Sequence, residues 1–199
     1  MIDSKDISVV VQGAIDNIET RKCLISIRKY LPDAEIILST WEGSDTSSLD
    51  YDQVIYNKDP GAIIIDESDG KKIYNNMNRQ LLSTQSGLDK VKRKYTLKVR
   101  SDLILNGNSF LKYFDKFQKR IDNYKLFERK IIIPSLVTRY YINLYKKSGW
   151  ALTPFHFSDW WFLGLTKDVK TYFSNTSLVK EFCFLDLFKS SPLLNSTTH

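Results

Sequence analysis

Apolar positions along the chain fall into blocks whose period alternates between strand and helix. Ile7-Ser8-Val9-Val10-Val11 is β-branched and nearly continuous, the pattern of a parallel strand buried on both faces. It runs into Gln12-Gly13, a strand-to-loop turn. Cys23, Leu24, Ile27, Tyr30 and Leu31 then recur at helical spacing and predict a helix over about 20–31, stopped by Pro32-Asp33. Glu35–Ser39 predicts a second strand with a polar loop opening at Trp41-Glu42-Gly43, and Gln53–Tyr56 a third before the turn signal Pro60-Gly61. Strand, helix, strand in this rhythm argues for an α/β fold: a single-domain, mostly parallel open sheet flanked by helices. Ligands of such sheets bind at the carboxyl ends of the strands, so the loops at Gln12-Gly13 and Thr40-Trp41 are site candidates by position.

The second half continues the pattern. A helix is expected from Asn76 to about Lys90, with Met77, Leu81 and Leu88 inward and Asn75 or Asn76 as cap. Tyr95–Val99 predicts a strand entering Arg100-Ser101-Asp102. After the Asn106-Gly107-Asn108 turn, a helix is expected over Ser109–Ile121 with Phe110, Phe114 and Phe117 inward. Ile131–Ile133 predicts a strand ended by Pro134, and Thr138–Tyr145 fits no single period. Trp150–Trp161 holds three of the four tryptophans and leads into a strand at Phe162–Leu165, then a helix capped by Thr166 with Asp168 in its first turn. The Ser/Thr-rich residues from about 188 to 199 are expected to fray.

Composition narrows the class. With 199 residues, 42% hydrophobic and 26% charged, the chain can bury a core without disulfide or metal. Cys23 and Cys183 are far apart and His156 and His199 are the only histidines, which excludes a Cys/His zinc site. The first apolar run is five residues and no apolar stretch reaches 18, so the expectation is a reduced cytoplasmic protein, with peripheral membrane contact compatible. The net charge of +6 is uneven. Residues 1–88 carry 9 Lys+Arg against 14 Asp+Glu (net −5), 89–130 carry 13 against 5 (net +8), and 131–199 carry 7 against 4 (net +3). The basic middle flanks Arg100-Ser101-Asp102, and the excess charge points to an anionic partner: nucleic acid, a membrane surface or a phosphate-bearing substrate. Its run Lys90-Val91-Lys92-Arg93-Lys94 reads as a helix end rather than a nucleic-acid patch, because the adjoining strand is aliphatic. No G-x-S-x-G, G-x-x-x-x-G-K-[ST] or G-x-G-x-x-G is present, which removes hydrolase-elbow, P-loop and classical dinucleotide readings.

Three constellations could carry chemistry. Lys98–Asp102 ends a strand on a carboxylate, which suits a divalent cation bridging to a diphosphate; an Arg100–Asp102 ion pair is the structural alternative. Asn75–Gln80 opens a helix, where N–H groups and the Arg79 fork suit a phosphate; plain Asn capping is the alternative. In Pro154–Trp161, His156 and Asp159 sit among aromatics, a setting for a general base beside a sugar-stacking platform, or for a turn-capping Asp over a tryptophan core.

The segments SVVVQG (8–13), IRKYLP (27–32), IILSTWEG (36–43), NMNRQLLS (76–83), YTLKVRSDLIL (95–105) and FHFSDWWFLG (155–164) together resemble the WavE family of lipopolysaccharide-synthesis proteins, over about residues 7–170. The resemblance implies a bacterial glycosyltransferase-like protein of GT-A type in lipopolysaccharide or surface-polysaccharide synthesis. It would take a nucleotide-sugar donor and a glycan or lipid-linked glycan acceptor, at the inner membrane's cytoplasmic side. It implies a nucleotide-binding half at about 7–105 and an acceptor-side half at about 106–175. Gln12, Gly13, Thr40, Trp41, Arg79, Arg100 and Ser101 would bind the sugar nucleotide, with Arg79 on the diphosphate. Asp102 and Asp159 would be catalytic, Asp159 as base. The family's D-x-D position is held here by Arg100-Ser101-Asp102, so a Mn²⁺ or Mg²⁺ ion would rest on Asp102 alone. The likeness fades after about Ser174, which leads to the expectation of a shortened form with an incomplete acceptor side. The rival reading is a non-catalytic member that binds a glycan or a partner in the same pathway.

Overall fold

A computed structural model describes residues 2–68, 71–116, 125–136, 138–143 and 150–174, with 119, 121, 123 and 178 as isolated positions. Phe117, Cys183 and the tail at 188–199 lie outside the described residues. The elements are β1 (Ile7–Gln12), α1 (Glu19–Tyr30), β2 (Glu35–Trp41), β3 (Gln53–Asn57), β4 (Ile63–Ser68), β5 (Lys71–Asn75), α2 (Met77–Lys90), β6 (Tyr95–Arg100), β7 (Arg139–Asn143), β8 (Trp150–His156), β9 (Trp161–Leu165) and α3 (Thr166–Ser174).

Five strands form one open sheet in the order β3-β2-β1-β6-β9. The first four are parallel and β9 runs antiparallel to β6. The expected architecture is therefore present. Two antiparallel pairs, β4-β5 and β7-β8, stand outside this sheet. The period of two distributes the core over both faces. Val9, Val11, Ile36, Leu38, Leu97 and Val99 meet the inner face of α1, led by Cys23, Leu24 and Ile27. Val10, Ile37 and Phe162 meet Leu81 and Leu88 of α2 and Val169 and Phe173 of α3. Gly87 lets α2 approach this second face closely, since a Cβ there would lie 2.4 Å from Val10 Cγ1.

Four sequence expectations are corrected. The helix over 109–121 is instead a 3₁₀ turn at Ser109–Tyr113. Its buried residues Leu111 and Phe114 are three apart, which matches three residues per turn, and Phe114 packs edge-on against Tyr95. Ile131–Ile133 is not a full strand. Ile132 makes a two-bond bridge to Leu163, and Pro134, lacking an N–H, cannot extend the ladder. Met77 is not an inner residue of α2; it is 37% exposed. Thr166 is the first residue of α3, and its hydroxyl donates to Arg93 O at 2.6 Å instead of capping the helix. The first-turn Asp168 accepts the N–H groups of Glu128 and Arg129 at 2.9 and 2.8 Å, anchoring the segment that carries Ile132.

Strand order reverses around β1, with β2 and β3 on one side and β6 and β9 on the other. The topological switch point thus falls between β1 and β6, whose carboxyl ends stay paired at Gln12 and Arg100, and the crevice lies above them.

Candidate functional site

That crevice is a cleft of about 940 Å³. Of the residues singled out in the sequence, Gln12, Gly13, Trp41, Arg79, Arg100, Ser101, Asp102 and Asp159 line it. Thr40 does not appear on its wall; it is fully buried, with Oγ1 3.3 Å from Ser44 Oγ and its carbonyl accepting Asn57 Nδ2 at 2.9 Å. Thr40 thus supports the Trp41 turn from behind.

The floor is built by the ends of β1 and β6. Gly13 has φ +125°, a conformation that disfavours any side chain, and its N–H donates to Ser39 O at 3.1 Å. Ser101 N donates to Gln12 O at 2.9 Å, and Ser101 Oγ donates to Ala14 O at 2.6 Å. A Cβ on Gly13 would sit 3.0 Å from that hydroxyl. Ser101 is thus a latch between the two strand ends. Gln12 is buried, and Ser83 Oγ of α2 lies 2.7 Å from its Oε1.

Two guanidinium forks flank the floor. Arg79, in the first turn of α2, grips Asp59 through Nε–Oδ1 at 2.8 Å and Nη2–Oδ2 at 2.7 Å, and donates from Nη1 to Asn76 Oδ1 at 3.0 Å. Hydrogen bonding to Arg79 holds the Asp59 carboxyl below its ordinary range. Arg100 makes the same fork on Asp102, with Nε–Oδ1 at 3.0 Å and Nη2 on the other oxygen, and its guanidinium lies 5.8 Å from the Trp160 ring centroid. The Arg100–Asp102 ion pair weighed from the sequence is therefore formed. A fork uses two of five guanidinium N–H groups, so each arginine keeps donors for an anionic ligand.

Asp16, Glu19 and Asp59 also line the cleft and are not among the sequence candidates, whereas Asn75, which lines it too, belongs to the helix opening read from the sequence. Asp16 caps α1, its Oδ1 accepting from Ile18 N at 2.9 Å and Glu19 N at 2.8 Å, and these bonds lower its pKa. Asn75 Oδ1 accepts Met77 N at 2.7 Å, so Asn75 is the side chain that caps α2. Asp59 could have been found only by pairing it with Arg79 across 20 residues and the β4-β5 hairpin. The Asp69-Gly70 dipeptide, set between the acidic Asp66-Glu67 and the basic Lys71-Lys72, was a readable hairpin signal.

Asp159 forms the far wall, with its side chain exposed. Its carbonyl oxygen accepts Lys98 Nζ at 2.6 Å and Gln80 Nε2 at 3.2 Å. A divalent cation does not fit this donor set as it stands. Both Asp102 oxygens are engaged by Arg100, and among the described residues no three His, Cys, Asp or Glu side chains converge.

The basic run stands away from the cleft, at the end of α2 where the sequence reading put it. Lys90–Lys94 precedes the amino end of β6, about 20 Å of strand from Arg100. Arg93 there donates to Lys5 O and Asp33 O at 2.7 and 2.5 Å, at the amino ends of β1 and β2. No helix among the described residues is long and apolar enough to cross a membrane.

No curated protein matches the sequence. Among solved structures, the chain is similar to 4-diphosphocytidyl-2C-methyl-D-erythritol synthase from Anaerococcus prevotii, with TM-score 0.51 and 16% identity over 94% of this chain and 84% of that one. That likeness extends to the fold. The apo form of the glycosyltransferase GlyE of Streptococcus pneumoniae matches with TM-score 0.40 and 14% identity, over 92% of this chain and 43% of that one. A model of the WavE lipopolysaccharide synthesis family matches residues 7–189, reaching past the point near Ser174 where the sequence likeness was expected to end. The chain belongs to the WavE lipopolysaccharide synthesis family.

Proposed function

We propose that this protein is a glycosyltransferase that moves a sugar from a nucleotide-sugar donor to a glycan acceptor in lipopolysaccharide synthesis. The observation that carries the reading is the convergence of Gln12, Gly13, Trp41, Arg79, Arg100 and Asp159, from five separate chain segments, on one cleft at the sheet's switch point. The nucleotide lies over Gln12-Gly13 with Trp41 as its wall, backed by Thr40. Ser101 holds the floor. Arg79 and Arg100 offer their remaining N–H groups to the diphosphate and stabilise the charge that develops as it leaves. Asp102 acts by orienting the Arg100 fork. The acceptor hydroxyl attacks the anomeric carbon. Its oxygen forms the new glycosidic bond, the bond to the diphosphate breaks with its electron pair leaving on phosphate, and the hydroxyl proton passes to the Asp159 carboxylate. The whole chain serves as one domain, with a nucleotide-binding half at about 7–105 and an acceptor-side half at about 106–175.

The test is release of uridine diphosphate from uridine-diphosphate sugars in the presence of oligosaccharide or lipid-linked acceptors, with Mn²⁺ and with EDTA. Acceptor-dependent release that is equal within twofold under both conditions is expected. Absence of release with every common sugar nucleotide overturns the reading. The rival, a non-catalytic glycan- or partner-binding member, is favoured by one observation: Asp102, the residue at the family's metal position, is occupied by Arg100. It requires binding without turnover.

A further inference from the structure

Lys98 occupies the middle of β6, between Val10 of β1 and Phe162 of β9, and none of it is exposed to solvent. It points to the face covered by α2 and α3, where its companions Val10, Ile37, Phe162 and Val169 are apolar. An amino group in such a place is destabilising unless a partner offsets its lost hydration, and packing alone would be met by Leu or Met. The partner is the Asp159 carbonyl oxygen, 2.6 Å from Nζ, and the Phe162 ring centroid lies 5.5 Å away. Gln80 of α2 donates to the same oxygen at 3.2 Å. Arg100 N donates to Trp160 O at 3.3 Å, so the next peptide is also tied to β6. The backbone carrying Asp159 and Trp160 is thus fastened from beneath, while the Asp159 side chain reaches the cleft.

We propose that Lys98 is a positioning residue: its buried amino group grips the Asp159 carbonyl and so fixes the Asp159 carboxylate at the cleft wall, together with the neighbouring Trp160 indole that lies against Arg100. Only the chemical use of that carboxylate rests on the glycosyl-transfer reading. The grip is pH-dependent. Burial pushes Lys98 down to about 7; Asp159 pulls it up, Arg100 lowers it further and Asp102 raises it. A charged donor makes a bond roughly twice as strong as a neutral one, so the hold is tightest below that pH. From α3, the Tyr172 ring lies against Phe162, tilted by 39° at 5.2 Å; α2 contributes the neutral Gln80, and β1 contributes Val10. Histidine is the side chain type that ordinarily titrates nearest this pH, and His156 stands three residues before Asp159 in the sequence, so it is substituted as a control.

The experiment is nuclear magnetic resonance of the full chain without ligand, following the Trp160 indole N–H (assigned with Trp160→Phe) and lysine ε-carbons from pH 6 to 9. The expected result is a Trp160 shift with its midpoint near 7, matched by a single lysine signal, retained in His156→Gln and lost in Lys98→Met. A Trp160 signal that does not titrate, one lost in His156→Gln, or one retained in Lys98→Met overturns the proposal. If Lys98→Met does not fold, the matched lysine and tryptophan midpoints in the wild type and in His156→Gln decide alone. Where acceptor-dependent turnover is measurable, Lys98→Met lowers kcat at least tenfold with donor KM within twofold. An unchanged kcat overturns the positioning role, whereas absence of nucleotide binding contradicts the transfer reading and leaves the resonance result standing.

Discussion

Arg100 and Asp102 sit at i and i+2 where a strand ends, a spacing that places both side chains on one side of the backbone. The ion pair follows from that spacing, as does its competition with a cation for the same oxygens. The sequence could frame this choice but not decide it, because the Arg100 guanidinium also lies against Trp160, 60 residues on. Asp159 is the residue on which turnover is expected to depend most. Asp159→Asn should lower kcat by 10²- to 10⁴-fold, the usual worth of a general base, with donor KM within about threefold. Its exposed side chain has no core role, so the thermal midpoint should stay within about 2 °C of wild type. A kcat within threefold of wild type would remove it from the mechanism. Lys98 carries a stability signature as well. Its folded pKa of about 7 lies below its ordinary 10.5, so between these values the unfolded chain binds a proton that the folded chain does not. Stability therefore rises with pH across that window, by at most ~1.4 kcal/mol per unit, and is flat below it where both states are charged. Urea unfolding at pH 7 and pH 9 should show the rise in wild type and its loss in Lys98→Met. In the sequence Lys98 could be read only as part of a strand that ends on a carboxylate; that α2 and α3 cover its face depends on packing the strand pattern does not show.

At the scale of elements, the strongest periodicities produced the most accurate expectations. β1, β2, β3, β6, α1 and α2 fall within a residue or two of the sequence reading, because each repeats one period long enough to be distinctive. Short elements were harder, since Leu111 and Phe114 satisfy a helical spacing and a 3₁₀ spacing alike. Ile131–Ile133 carries the composition of a strand but has Pro134 where the next donor would be. The packing of α2 was not readable from its periodicity, because Gly87 matters through what it lacks. Gly87→Ala places a methyl group into Val10 and should destabilise the fold by about 1–3 kcal/mol, the usual cost of overpacking. A denaturant midpoint equal to or above that of wild type would mean that α2 does not sit this close to β1. Because Arg79, Gln80 and Ser83 ride on the same helix, the variant should also weaken donor binding.

For the whole molecule, strand order decides where chemistry can occur. β1 lies between β2 and β6, so the two carboxyl ends that matter, Gln12 and Arg100, are neighbours in space though 88 residues apart. The two strands and their loops could be read from the sequence, and placing ligands at carboxyl ends located the cleft. The charge distribution could not be placed by segment totals. A strand within the basic segment has two ends, and the Lys90–Lys94 run belongs to the end away from the cleft. The cleft itself carries Asp16, Glu19, Asp59, Asp102 and Asp159 against Arg79 and Arg100, so under the proposed function the two arginines are the groups that would hold a diphosphate. The measurement that tests this most directly is calorimetric titration of uridine diphosphate and its common sugar conjugates into the wild type and into Arg79→Ala and Arg100→Ala. The account predicts one site per chain, with affinity reduced at least tenfold in each variant. Absence of heat with every nucleotide, or undiminished affinity in both variants, would contradict it.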